Sequence, residues 1–200
     1  MTTPINTTQD RDALRKHLRA VRKQLDPETV SHYSQRIAHQ LYPLLSEATH
    51  VAAYLALGNE VNVSSLLVWC HSDHKHTYIP VVIEDNQMLF MPYDADTPLV
   101  PNRYGILEPV AVKAVSRATE TLDAVIVPLV GFDESCNRMG MGGGYYDRAF
   151  AHQQDASSST NRPLLIGVAF DEQQVDSVFA DWWDVPLDFI VTQSKVHKRG

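Results

Sequence analysis

Two hundred residues, 44% of them hydrophobic and 20% charged, suffice for one domain with a sizeable core and no staples. A formal net charge of −7 argues against a general nucleic-acid binder, which would be basic overall. No apolar run nears the ~20 residues of a membrane span. Residues 1–10 are polar and lack the apolar core of a secretory signal, so a cytoplasmic chain with no membrane partner is expected, with residues 1–9 flexible. Cys70 and Cys136 are read as two reduced thiols.

Residues 10–24 read as a helix, with Leu14, Leu18, Val21 and Leu25 on one face and Arg11, Arg15, Arg19 and Arg22 in a stripe beside it. That stripe is either a wet helix face or a source of guanidinium groups for phosphate. Asp26-Pro27-Glu28 starts a second helix, capped by Asp26 and running to about Tyr42. Residues 50–57 read as the first strand, and Glu60 follows its turn at Gly58-Asn59. There it is either an exposed turn carboxylate or a ligand group at the carboxyl end of a strand. Residues 63–70 form a short helix. Cys70 at its end and His71, His74 and His76 after it have no second Cys/His pair at zinc spacing, so a polar loop is expected, not a metal site.

Residues 77–83 and 87–93 read as two strands joined by a turn at 84–86, and Phe90, Met91 and Tyr93 as core or pocket wall. Tyr104-Gly105-Ile106 suggests a ring presented by a loop. Ala124-Val125-Ile126-Val127-Pro128-Leu129-Val130 is a short β-branched run that reads as a buried strand. It leads to Asn137-Arg138-Met139-Gly140-Met141-Gly142-Gly143-Gly144-Tyr145-Tyr146-Asp147-Arg148, ahead of a helix over residues 145–152. Strand, glycine loop and helix form an arrangement in which backbone N–H groups converge on an anion. Arg138 and Arg148 add positive charge, and Asp147 is a carboxylate suited to a divalent cation beside polyphosphate. Gly-x-Gly-x-x-Gly fails here from either starting glycine, because Tyr145 or Asp147 stands at its last position, and the Gly-Lys-Ser/Thr of a Walker loop is absent. A plain flexible turn is the alternative.

Residues 155–161 are a polar connector expected to be mobile. Residues 164–170 form a further strand, 171–174 a short turn or helix, and 189–192 a last strand. Lys195, Lys198 and Arg199 read as a solvated tail. Strands alternating with helices predict an α/β fold: a single three-layer domain, residues 1–200, with a mainly parallel central sheet flanked by helices. The glycine loop, Glu60 and Asp184 are expected to converge at the carboxyl edge of that sheet.

Arg-Met-Gly-Met-Gly-Gly-Gly-Tyr-Tyr-Asp-Arg at 138–148 closely resembles the signature of the 5-formyltetrahydrofolate cyclo-ligases, also called methenyltetrahydrofolate synthetases. Gly58-Asn59-Glu60-Val61, Tyr104-Gly105-Ile106-Leu107-Glu108-Pro109, Val127-Pro128-Leu129-Val130-Gly131-Phe132-Asp133 and Trp183-Asp184-Val185-Pro186-Leu187-Asp188 resemble further segments of that family, in family order. The resemblance implies conversion of 5-formyltetrahydrofolate to 5,10-methenyltetrahydrofolate, with ATP as co-substrate and magnesium as cofactor. It implies ATP contacts at Arg11, Arg15, Arg138, Gly140, Gly142, Gly143, Gly144 and Tyr146, and folate contacts at Leu55, Glu60, Tyr104, Met141 and Tyr145. Arg138 and Tyr145 would serve the reaction, and Asp147 and Asp184 would hold magnesium. Arg11 stands where the family more often has Lys, Tyr104 where it often has Trp, and Met141 and Gly143 where some members carry basic residues. The expected partners are small molecules, the reduced folate and ATP, with a monomer as the expected state.

Overall fold

The computed structural model describes residues 7–102, 107–154 and 162–200. Residues 1–6, the loop bearing Tyr104 and the connector 155–161 lie outside the described residues. Helix α1 (Thr7–Lys23) begins three residues earlier than its hydrophobic face indicates, so residues 7–9 are helical. Elongating an established helix adds a bond for each residue fixed, which favours such an extension. Helix α2 (Pro27–Leu44) starts as expected: Asp26 accepts from Thr29 N and the Thr29 hydroxyl at 2.9 and 2.7 Å. The chain continues through β1 (His50–Ala52), α3 (Ser64–Ser72), β2 (His76–Val82) and β3 (Met88–Tyr93). A ribbon of β4 (Leu99–Pro101) and β5 (Leu107–Pro109) follows, then β6 (Ala124–Pro128), β7 (Gly131–Phe132) and β8 (Arg138–Met139). The last elements are α4 (Tyr145–Ala149), β9 (Leu164–Val168), β10 (Phe189–Val191) and β11 (Val196–Lys198).

Seven strands form the main sheet in the order β11-β10-β9-β6-β1-β2-β3. The five central strands run parallel, and β3 and β11 close the two edges antiparallel. Alternation along the parallel strands divides the core by sheet face. Val51, Ala124, Ile126, Ile166 and Val168 pack on one side with Ile37 and Leu41 of α2 and Leu66 and Cys70 of α3. Ala52, Val125, Val127, Leu165 and Ile190 pack on the other with Phe132, Phe150 and Leu187. Helices and loops thus cover both faces, as a buried parallel sheet requires. Cys70 and Cys136 are buried and free. Among the described residues no helix is long and apolar enough to cross a membrane.

Three local expectations are corrected. The first strand is only three residues long, because the chain leaves the ladder after Ala53 N bonds Tyr78 O and turns at Gly58, where φ is +57°. The Tyr54 hydroxyl closes that turn by donating to Val61 O at 2.7 Å. The basic C-terminus is an edge strand and not a loose tail, although Lys195, Lys198 and Arg199 are exposed as expected: Ile190 pairs with His197, and Arg199 N donates to Asp188 O. The run 124–130 does not lead straight into the glycine loop either. The β7–β8 hairpin intervenes, locked by Val130 N to Met139 O at 2.7 Å and seated on Leu18 of α1 through Gly131.

Candidate active site

The glycine loop spans residues 140–144 between β8 and α4. Gly142 (φ +98°) and Gly144 (φ +61°) take backbone conformations that a side chain would strain. Gly143 is required for space: a Cβ there would lie 2.5 Å from the Tyr145 ring. Helix α4 has only five residues, so the convergence of groups around this loop depends on the loop itself and on four arginines more than on a helix dipole.

Along one side of the loop runs a cavity of about 640 Å³. Its wall includes Arg11, Arg15, Arg138 and Arg148, the loop residues Gly140, Gly142 and Gly144, and Asp147 and Asp184. Helix α1 lies across this end of the molecule because Leu18 is buried at its centre while Leu14 and Val21 flank it. That packing brings Arg11, Arg15 and Arg22 inward and leaves Arg19 exposed. Arg15 Nε donates to Gly140 O at 3.0 Å, and its guanidinium also pairs with Asp12. Arg11 bridges Asp181 (2.5 Å) and Asp184 (2.9 Å), tying the N-terminal helix to a turn just before β10. Arg138 is buried and donates to Val185 O and, at 2.7 Å, to Asp147 Oδ1, which Val185 N also reaches at 3.1 Å. Asp181, Trp182 and Trp183 share this wall. Trp183 opens the family-like segment 183–188, but no periodicity or motif in the sequence singled out Asp181 or Trp182.

A second, more enclosed cavity of about 170 Å³ lies across the loop. Glu60, Leu129, Met141, Gly143, Tyr145 and Tyr146 line it. Glu60 accepts from Leu57 N at 3.1 Å and faces Arg22 at 3.6 Å. Burial nevertheless holds its carboxyl above the usual range, outweighing the Leu57 N–H and Arg22. Burial also pushes up the Tyr146 and Tyr54 hydroxyls. Arg148 lies over the Tyr145 ring, 5.2 Å from its centroid, so that ring is held between a cation and the loop backbone. Arg138, Gly140, Gly144 and Asp147 line both cavities, making the loop their common wall.

Not every expected group is gathered here. Gly143 and Tyr146 line the apolar cavity and not the cationic one. Leu55 is half-buried against the α2–α3 core and lines neither cavity. Tyr104 lies outside the described residues. Arg22, the countercharge of Glu60, is visible in the sequence only as one member of a stripe.

The sequence profile of the 5-formyltetrahydrofolate cyclo-ligase family matches residues 7–193. The chain belongs to that family. It is 33% identical over 185 residues to 5-formyltetrahydrofolate cyclo-ligase of Haemophilus influenzae, covering 90% of this chain and 96% of that relative. The enzyme of the same name from Escherichia coli K12 is 34% identical over 183 residues, covering 90% and 98%. Among solved structures, 5,10-methenyltetrahydrofolate synthetase of Aquifex aeolicus superposes with a TM-score of 0.78 at 28% identity, over 94% of this chain and 92% of that one. The Mycoplasma pneumoniae synthetase gives 0.72 at 28% identity over 92% and 99%. Membership places the chain among ligases of folate metabolism, with the mainly parallel α/β fold of these synthetases.

Proposed function

We propose that the protein converts 5-formyltetrahydrofolate and ATP to 5,10-methenyltetrahydrofolate, ADP and phosphate, with magnesium. The observation that carries this reading is the pair of cavities meeting at Arg138, Gly140, Gly144 and Asp147. A polyanion suits the cationic cavity, and a flat heterocycle with N–H donors suits the small one, whose polar end is Glu60. The reacting groups would then meet at the loop. The formyl oxygen attacks the γ-phosphorus and ADP departs. The neighbouring folate nitrogen then attacks the activated carbon and gives up its proton to water or the departing phosphate, and the C–O bond breaks as phosphate leaves.

The protein's contribution to such a transfer is alignment and neutralisation of charge. Arg15, Arg11 and the N–H groups of the loop would hold the phosphates, and Arg138, fixed by two acceptors, would face the transferring group. Glu60, Met141 and Tyr145 would seat the pterin, with Tyr146 walling the same cavity. Asp147 and Asp184 fit a magnesium ion. Both are carboxylates in the wall of the cationic cavity, and magnesium takes hard oxygen ligands of this kind, one or two from protein. The ion would complete its shell with phosphate oxygens and water, as magnesium commonly does, and would screen the phosphate charge.

The test is growth of the methenyl-folate absorbance on mixing protein, 5-formyltetrahydrofolate, ATP and magnesium. Growth requiring both ATP and magnesium is expected. Nucleotide binding without any product would refute the conversion.

A further inference from the structure

We propose that Trp182, in the wall of the cationic cavity, is the stacking platform for the nucleobase. The inference rests on reading that cavity as the nucleotide site. Its phosphate-binding character comes from guanidinium groups and glycine backbone, neither of which holds a purine ring. The large apolar surface in its wall belongs to Trp182 and Trp183. A ligand with a polyanion at one end and a flat aromatic ring at the other matches this division.

The exposure of the pair supports a binding role. Trp182 is 85% exposed and Trp183 50%, and Trp182 is the most exposed large hydrophobic among the described residues. Scattered apolar residues on a surface are ordinary, but two adjacent tryptophans in a cavity wall are not scattered. Their rings meet nearly perpendicular, at 80° and 5.4 Å, so mutual packing leaves ring face open to a ligand. The turn that carries them is fixed at both ends. Asp184 N bonds Asp181 O at 3.0 Å, Asp181 N bonds Asp184 Oδ2 at 2.8 Å, and both carboxylates hold Arg11. The platform is therefore tied to the same arginine that would reach the phosphates, and ring and charge are presented in a fixed relation. Stacking is recognition by ring face, worth on the order of a 5- to 150-fold change in affinity per base on alanine substitution.

The test titrates wild type, Trp182→Ala and Trp182→Phe with magnesium-ADP and, as a probe without a base, with inorganic tripolyphosphate. Binding is followed by calorimetry and by tryptophan emission; the remaining tryptophan, Trp69, stacks on Tyr42 away from the cavity. The expected result is that ADP quenches wild-type emission and that Trp182→Ala weakens ADP roughly 5- to 150-fold. Tripolyphosphate should bind both proteins alike, and Trp182→Phe should recover most of the lost ADP affinity. Undiminished ADP affinity in Trp182→Ala would overturn the platform while leaving the nucleotide site intact. So would equal weakening of ADP and tripolyphosphate, since the effect would then pass through the Arg11 turn. If wild type binds neither probe, the nucleotide reading itself fails, and the platform with it. The Trp182 ring is largely exposed, so Trp182→Ala should melt as wild type does.

Discussion

In an Arg138→Ala variant the site loses the guanidinium that donates both to the Val185 carbonyl and to Asp147 Oδ1. The Arg138 side chain is 5% exposed and that of Asp147 23%. Removing one partner of a buried ion pair costs ~3–5 kcal/mol, and a stranded carbonyl ~1–3. Water can reach Asp147, which lowers the first figure, so a combined loss of about 3 kcal/mol is expected. In a domain of this size that corresponds to a fall of roughly 6–12 °C in melting temperature. Arg138→Lys keeps the charge but cannot bridge two acceptors as a fork does, so it should fall between the two. The assay is thermal and urea unfolding without nucleotide or magnesium, in a double-mutant cycle with Asp147→Ala; the coupling expected for contacting partners is about 1–3 kcal/mol. Turnover measured where the variant is still folded should drop on the order of 100-fold, the effect of losing one oriented donor. A wild-type unfolding midpoint would refute the structural argument. Wild-type turnover in the folded variant would make Arg138 a strut and not a catalytic group.

Three further outcomes follow from the same geometry. In Gly143→Ala the new Cβ would sit 2.5 Å from the Tyr145 ring, so the ring must swing away; KM for the formyl-folate should rise about tenfold or more with little change in melting, and an unchanged KM would show that Tyr145 does not position the substrate. Glu60 must be ionised to accept N–H donors, and burial raises its carboxyl, so folate affinity should climb as pH rises through that titration. Arg22→Met removes the opposing charge and should move this acid limb to higher pH, Glu60→Gln should abolish it, and a limb that stays put in both would exclude Glu60 as its source. His197 packs edge-on to Phe132 with Nε2 buried and without a partner among the described residues. Burial and Lys195 hold its imidazole below the usual range, against Asp171 and Glu134. The neutral ring therefore contributes stability that is present above its unfolded value near 6.5 and is lost as pH falls through the depressed folded value. Urea midpoints of His197→Phe between neutral and acid pH should show a shallower decline than wild type, and an identical decline would remove His197 from the account.

The sheet and the loop were legible because each rests on local pattern. Short apolar runs marked β6 and β9, the first of them β-branched, and the glycine cluster marked the loop whatever followed it. Elements that depend on distant partners were not. Val196–Lys198 has too little apolar content to announce a strand and becomes one only because β10 offers an unpaired edge. The end of β1 is set by the Tyr54–Val61 hydrogen bond, which no alternation encodes. Within the site, Arg11 and Arg15 could be read from a helix stripe, since a 3.6-residue period places them beside the buried face. Asp181 could not, because its partner Arg11 lies 170 residues away and the turn between them has no motif. Tyr145 and Tyr146 are adjacent in sequence, so sequence alone could not assign both to the apolar cavity.

A chain of net charge −7 that would bind a polyanion needs a local reversal of sign, yet the cationic cavity is balanced. Four guanidinium groups (Arg11, Arg15, Arg138, Arg148) share its wall with four carboxylates (Asp12, Asp147, Asp181, Asp184). Three of the arginines are already paired with carboxylates there: Arg11 with Asp181 and Asp184, Arg15 with Asp12, and Arg138 with Asp147. This pairing relieves the repulsion of clustered like charge in the wall. It also means that a bare triphosphate entering the cavity meets as many like charges as opposite ones. On the proposed reading, a divalent cation changes that balance. Asp147 and Asp184 would then serve as ligands of the metal instead of competing for guanidinium, and the arginines would be left in excess toward phosphate. On that reading a joint requirement for nucleotide and magnesium would follow from the wall itself. Nucleotide affinity should depend far more steeply on magnesium in wild type than in an Asp147→Asn, Asp184→Asn double variant, where the carboxylates neither oppose phosphate nor bind the ion. Equal dependence in both proteins would place the magnesium requirement elsewhere.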